Sequence, residues 1–442
     1  MTTNKKGGFD YYLQSWSVQK DITNPIRVKD AEGIYFWDEN GKKYYDMTSQ
    51  SENLNLGHKH PKLIQAIIDQ AQIMPFINSD LYIPIRDEAA KKIVDASGME
   101  GAKVFFTNAG AEANENAIKM AREYTGKWKI FSAYRSYHGA TAGAGNLTGE
   151  PRRFINEPGG PGFIKFEGPY AYRAPKACKF ENEEDVTNYY LEILENQIKY
   201  EGPEQIAAIW LETVVGTNGI LIPPKGYLPG VRALCDKYNI LMVCDEVMAG
   251  WYRTGKAFAF QNFGAVPDLV SFAKGSTTGY VPLGGVIVSK DICDYFYDKK
   301  LFCGLTYTGH PIGCAVASRT IDVYTEEKIP ENVAKVGAIQ AQLMDEMLAK
   351  HPCLGEVRHI GLFGAFEVVK DKESRIPMCE YNNDTEGVMG KIEDLFLERG
   401  IYTYAHENII HCNPPLNITE EELREALAIY DEVWTIVDNT ML

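Results

Sequence analysis

Short apolar runs alternate with longer amphipathic stretches up to about residue 310. Residues 104–106, 130–131, 206–211, 240–244, 269–273 and 286–288 are brief and, apart from Ser271, apolar, which predicts buried strands rather than surface helices. Between them, residues 111–124 and 227–238 place apolar side chains at helical spacing. The alternation predicts the α/β class, with a mainly parallel sheet covered by helices on both faces.

The pattern changes past residue 310. A long helical stretch at 331–350 precedes a predicted strand at 361–366. The last helix opens on Thr419-Glu420-Glu421-Glu422, the signature of a capping box. The expected organisation is a large domain over residues 61–310 and a smaller α+β domain over 311–442. Residues 1–60 are expected to pack beside the smaller domain. Residues 150–203, rich in Pro, Gly and charge, are expected to form a surface insertion.

Composition narrows the function. With 442 residues, 45% hydrophobic and 24% charged, the chain reads as an ordinary globular protein. A net charge of −15 argues against non-specific nucleic-acid binding. The nine cysteines contain no C-x-x-C pair, which suits a reducing compartment and gives no metal site. The opening Met1-Thr2-Thr3-Asn4-Lys5-Lys6 leads into no apolar stretch, so no secretory signal is expected. No run reaches the roughly 18 apolar residues that a membrane span needs. A cytoplasmic protein is the expectation.

Candidate chemistry concentrates at strand ends. Lys274 and Asp245 each follow an apolar run, where a charge is costly unless paired. A lysine able to lose its proton forms a Schiff base with an aldehyde, and a buried carboxylate holds a heteroaromatic nitrogen protonated. Together they point to pyridoxal 5'-phosphate (PLP). The small residues of Thr107-Asn108-Ala109-Gly110-Ala111, at a predicted strand-to-helix turn, let backbone N–H groups approach a phosphate. Tyr137-His138-Gly139 offers an aromatic face and a close approach.

These blocks resemble those of class III aminotransferases, in order and over nearly the whole chain. Asp245 to Gly255 is similar to that family's D-E-V-x-x-G-F-G-R-T-G signature. Phe272-Ala273-Lys274-Gly275 resembles its lysine loop, and Asn108 to Arg122 its phosphate cup. Thr306 to Pro311 and Gly57 to Pro61 resemble further family blocks. The resemblance implies a fold-type I PLP enzyme, a homodimer with shared active sites. It implies that Lys274 bonds the aldehyde and Asp245 the ring nitrogen. Val247 and Tyr137 then flank the ring, with His138 beside it. Gly110 and Ala111 hold the phosphate, with Thr306 supplied by the other subunit, and Glu212 lies near the ring and substrate.

Departures from the family bear on the substrate. The arginine that clamps an α-carboxylate in many members falls here on Tyr404, and residues 401–410 contain none. Gln50-Ser51-Glu52-Asn53 is polar where the family is small and apolar, Thr213 replaces a proline, and Met248 stands where some members have glutamine. Trp16, Glu52 and Tyr404 are the expected substrate-pocket residues. The reading is a ping-pong transfer from a β- or ω-amino compound to 2-oxoglutarate or pyruvate. A donor with a masked carboxylate, such as 3-aminobutyryl-CoA, fits the missing clamp. Arg152, Arg153, Lys165, Arg173 and Lys176 would then meet CoA phosphates, or else form a solvated basic surface. A PLP-dependent aminomutase or amino-acid racemase on the same fold is the alternative.

Overall fold

The computed structural model describes residues 11–22, 25–175 and 177–442. Lys176 and the start of the chain through Asp10, on which the absence of a signal was read, lie outside the described residues. Near the N-terminus, β1 (Val28–Glu32), β2 (Tyr35–Asp38) and β3 (Lys43–Asp46) form an antiparallel meander. Seven strands then build the central sheet: β4 (Lys103–Thr107), β5 (Lys129–Ala133), β6 (Phe163–Phe166), β7 (Ile206–Glu212), β8 (Leu241–Asp245), β9 (Leu269–Phe272) and β10 (Gly284–Val288). A third sheet contains β11 (Leu354–Ile360), β12 (Phe363–Asp371) and β13 (Ile376–Pro377). After β14 (Ile401–Tyr402), which pairs in parallel with β3, that sheet is completed by β15 (Ala405–His406) and β16 (Ile409–Cys412).

The central sheet runs β4-β10-β9-β8-β7-β5-β6, and its parallel pairs extend from β9 through to β6. Only β10 departs, lying antiparallel to both β4 and β9. Every residue of β7, β8 and β9 is buried, because helices cover both faces. Side chains alternate accordingly: Ile209 and Leu211 enter one apolar layer, Ala208 and Trp210 the other. The first layer is continuous with the core of the C-terminal region, through residues such as Phe366, Tyr430 and Trp434.

Two expectations need correction. Residues 150–203 are not a purely superficial insertion. They supply the edge strand β6 and the helix Glu183–Glu201, whose Tyr190, Leu194 and Ile198 are core residues. The predicted strand at 361–366 begins at Phe363, because Gly361 adopts φ +62° and forms the turn from β11. The last helix, Glu420–Thr440, does open on the capping box, with the Glu422 amide donating to Thr419 Oγ1 at 3.2 Å.

Candidate active site

Because β7, β8 and β9 run parallel, their carboxyl ends open together on one side of the sheet. Glu212 and Asp245 end their strands as register partners, and Lys274 follows β9 by two residues. All three line one cavity of about 680 Å³. Gly110, Ala111, Tyr137, His138 and Val247 line it too, as do Trp16, Glu52 and Tyr404. Thr306 does not; it is exposed on its own chain.

The floor is rigidly held. Asp245 Oδ2 accepts from Asn114 Nδ2 at 2.8 Å and lies 2.8 Å from His138 Nδ1. Its Oδ1 accepts from the Val247 amide at 3.0 Å. Glu212 accepts from the amides of Tyr137 and Gly216, each at 2.8 Å, and burial pushes its carboxyl up to about 7. Burial pushes the Lys274 ammonium down, against the pull of Glu52, Glu212 and Asp245. Its side chain keeps 28% exposure because it stands in the cavity, surrounded by protein.

One end of the floor presents bare backbone. The helix Gly110–Thr125 starts there, and its N-cap Ala109 provides no side-chain cap, so its first N–H groups are left for another acceptor. A Cβ on Gly110 would sit 2.7 Å from Val247 Cγ2. One on Gly139, at φ +127°, would sit 2.5 Å from Ala111 Cβ. Backbone therefore reaches the cavity where side chains cannot. An amine, an anchored carboxylate, an anion cradle and an aromatic flank fit a phosphorylated heteroaromatic aldehyde.

The opposite wall is built differently. Ser49, Gln50, Ser51 and Glu52 adopt φ of 47, 49, 67 and 53°, a left-handed turn without glycine. Each such residue costs about 1–2 kcal/mol. Asp46 Oδ1 steadies the turn by accepting from the amides of Thr48 at 3.1 Å and Gln50 at 3.3 Å. The fully buried Arg253 donates to Ser49 Oγ at 3.0 Å, Asn55 Oδ1 at 2.9 Å, Leu362 O at 2.9 Å and Pro414 O at 2.6 Å. The turn delivers Glu52, 5% exposed, to within 3.9 Å of Lys274 Nζ.

Of the basic residues assigned to the insertion, Arg152 reaches this cavity, a placement the sequence reading missed. Its guanidinium carbon lies 3.8 Å from the centroid of the Tyr137 ring and 5.2 Å from that of Trp16. Nε donates to Glu150, while Nη2 is buried with no partner among the described residues. The other described ones are engaged elsewhere. Lys165 donates to Ser132 Oγ and Leu147 O, Arg153 pairs with Glu157, and Arg173 pairs with Glu367 of β12.

The model of the family described as "Aminotransferase class-III" matches residues 17–433. The chain belongs to the class III aminotransferases. It is 33% identical to a probable gamma-aminobutyrate transaminase 4 of Oryza sativa, over 95% of this chain and 89% of that protein. It is 32% identical to the putrescine–pyruvate aminotransferase of Pseudomonas aeruginosa, over 95% of this chain and 93% of that protein. Among solved structures, taurine:2-oxoglutarate aminotransferase from Bifidobacterium kashiwanohense, in complex with PLP and glutamate, superposes with a TM-score of 0.95. That protein is 46% identical, with 98% of this chain and 97% of its own covered. As a class III aminotransferase the protein is a PLP-dependent enzyme with the fold-type I architecture.

Proposed function

We propose that this aminotransferase takes a short β- or ω-amino donor ending in a free acidic group, and passes the amine to 2-oxoglutarate. The observation that carries this is Arg152, a cavity cation with an unpartnered buried N–H. A guanidinium matches a carboxylate or sulfonate in geometry and charge. Arg152 thus takes the part left vacant by Tyr404, from a different segment of the chain. The 46% identity to a taurine:2-oxoglutarate aminotransferase supports a β-aminosulfonate as one such donor and 2-oxoglutarate as acceptor. The thioester 3-aminobutyryl-CoA is the weaker candidate, since the other described basic residues of residues 150–203 assigned to it are already paired.

Within the same proposal, Lys274 Nζ would hold the aldehyde carbon of PLP and, once released, would take and return the proton at the donor carbon. Asp245, aimed by Asn114 and His138, holds the proton on the ring nitrogen. Gly110 and Ala111 cradle the phosphate, and Tyr137 and Val247 flank the ring. When bound, PLP supplies the electron sink for the carbon that carries the amine. Transfer is preferred to an aminomutase or racemase because the relatives named above are transaminases. A homodimer in which Thr306 serves the partner's site is supported by exposed Phe76, Leu81, Tyr82, Phe302 and Tyr307. A division at residues 60 and 310 accords with three separate sheets, and a cytoplasmic setting with nine free cysteines. Among the described residues no helix is long and apolar enough to cross a membrane.

A donor panel of taurine, β-alanine, 4-aminobutyrate, putrescine and 3-aminobutyryl-CoA, each with 2-oxoglutarate and with pyruvate, tests the reading. The free acidic donors with 2-oxoglutarate should exceed putrescine in kcat/KM by about tenfold or more. A preference for putrescine or for the thioester would overturn it.

A further inference from the structure

The polar stretch at residues 50–53 is not explained by an acid-tailed donor, since it adds a carboxylate to a cavity that must accept anions. Glu52 is nonetheless deliberately held. Its Oε1 accepts from Asn413 Nδ2 at 2.9 Å. Asn413 is fully buried and fixed in turn, its Oδ1 accepting from the Gly364 amide at 2.9 Å and its own amide donating to Met47 O at 2.8 Å. The second hydrogen of Asn413 Nδ2 points toward His411 Nδ1, 3.0 Å away. His411 Nε2 lies 3.2 Å from Thr217 O, so Nε2 holds the ring proton and Nδ1 is free to accept. Burial pushes this imidazole down to about 4, so it is neutral near pH 7 and supplies no counter-charge to Glu52. The other oxygen of Glu52, Oε2, faces Lys274 Nζ at 3.9 Å.

We propose that Glu52 is a positioning residue for Lys274: a built-in counter-ion, fixed by Asn413 and the left-handed turn, that steadies the ammonium formed when Nζ takes a proton. The inference rests on the role of Lys274 given above. The groups facing Lys274 come from four segments: Glu52 from the turn, Glu212 from β7, Asp245 from β8 and Arg152 from the Pro151–Asn156 segment. Asp245 is engaged by Asn114, His138 and the Val247 amide, and Glu212 by two backbone amides. Arg152 repels an ammonium. Glu52 has an oxygen turned to Nζ and also faces His411; burial pushes its carboxyl up, while Lys274, the Asn413 amide and Arg253 act to keep it ionised. An opposite charge at this range favours the ammonium, and so favours the moment at which Nζ has taken the donor's proton.

The test is the titration of Lys274 itself in the full-length chain stripped of PLP. Competitive labelling with acetic anhydride between about pH 6 and 11, with the Lys274 peptide quantified by mass spectrometry, gives its midpoint. In Glu52→Gln the midpoint should fall by about one unit or more, with Glu52→Asp between the two. Coincident midpoints for wild type and Glu52→Gln would overturn the proposal. If Glu52→Gln does not fold, the reciprocal measurement decides: the Glu52 carboxyl, followed by carbon-13 NMR, should titrate higher in Lys274→Met than in wild type. Equal values there also overturn it. Failure of the underlying reading looks different, because the Lys274 peptide would then remain open to labelling after PLP is restored.

Discussion

The two walls of the cavity are made by opposite means. The floor comes from neighbouring strands of one parallel sheet, and Glu212, Asp245 and Lys274 inherit their positions from its register. The facing wall collects Glu52, Arg152 and Tyr404 from three distant segments, none in a long regular element. On the proposed function the floor carries the chemistry and the wall selects the donor. A fold can keep the first constant while varying the second, because changing the wall leaves the sheet untouched.

Substitutions can break that division. The largest effect is expected from Lys274→Ala, which should lower turnover by about 10⁴-fold and abolish covalent retention of PLP, read by mass spectrometry. Next, Asp245→Asn should cost about 10²–10³-fold in kcat, with every donor affected alike. On the wall, Arg152→Leu should reduce kcat/KM for acid-tailed donors by about 10- to 100-fold, and leave putrescine unchanged or improved. Equal losses for both donor types would mean that Arg152 supports the floor instead.

The smallest effect concerns Glu212, on the floor. Its folded value of about 7 lies above the 4.5 of a free carboxyl. Its contribution to stability is therefore fully present below about pH 4.5 and lost as pH rises through about 7. Glu212→Gln should show a melting temperature that gains on wild type between about pH 5 and 8, by about a few degrees. A constant difference over that range would contradict the assigned direction.

The same contrast governs what was legible. Strand and helix positions around Asp245, Lys274 and Gly110 follow from local periodicity, and their chemistry from residues a few positions apart. Arg152 was visible only as one charge in a basic, Pro-rich stretch. Its direction depends on a short 3-10 segment and on the Tyr137 and Trp16 rings, which no periodicity encodes. The left-handed turn was equally hidden. Ser49, Gln50, Ser51 and Glu52 have no intrinsic preference for positive φ, and bonds to Asp46, Arg253 and Asn413 hold them there. Residues 150–203 misled for a further reason: their turn-rich start obscured the strand and helix that follow.

Arg253 joins the Ser49 turn, Asn55, the Leu362 carbonyl ahead of β12 and the Pro414 carbonyl beyond β16 through one side chain. A protein engineer who transplants only residues 49–52 from a relative would thus import the letters without the clamp that shapes them. The transferable unit is the turn together with its distant anchors, Asp46, Arg253 and Asn413, and a library that varies the donor pocket should keep those three fixed.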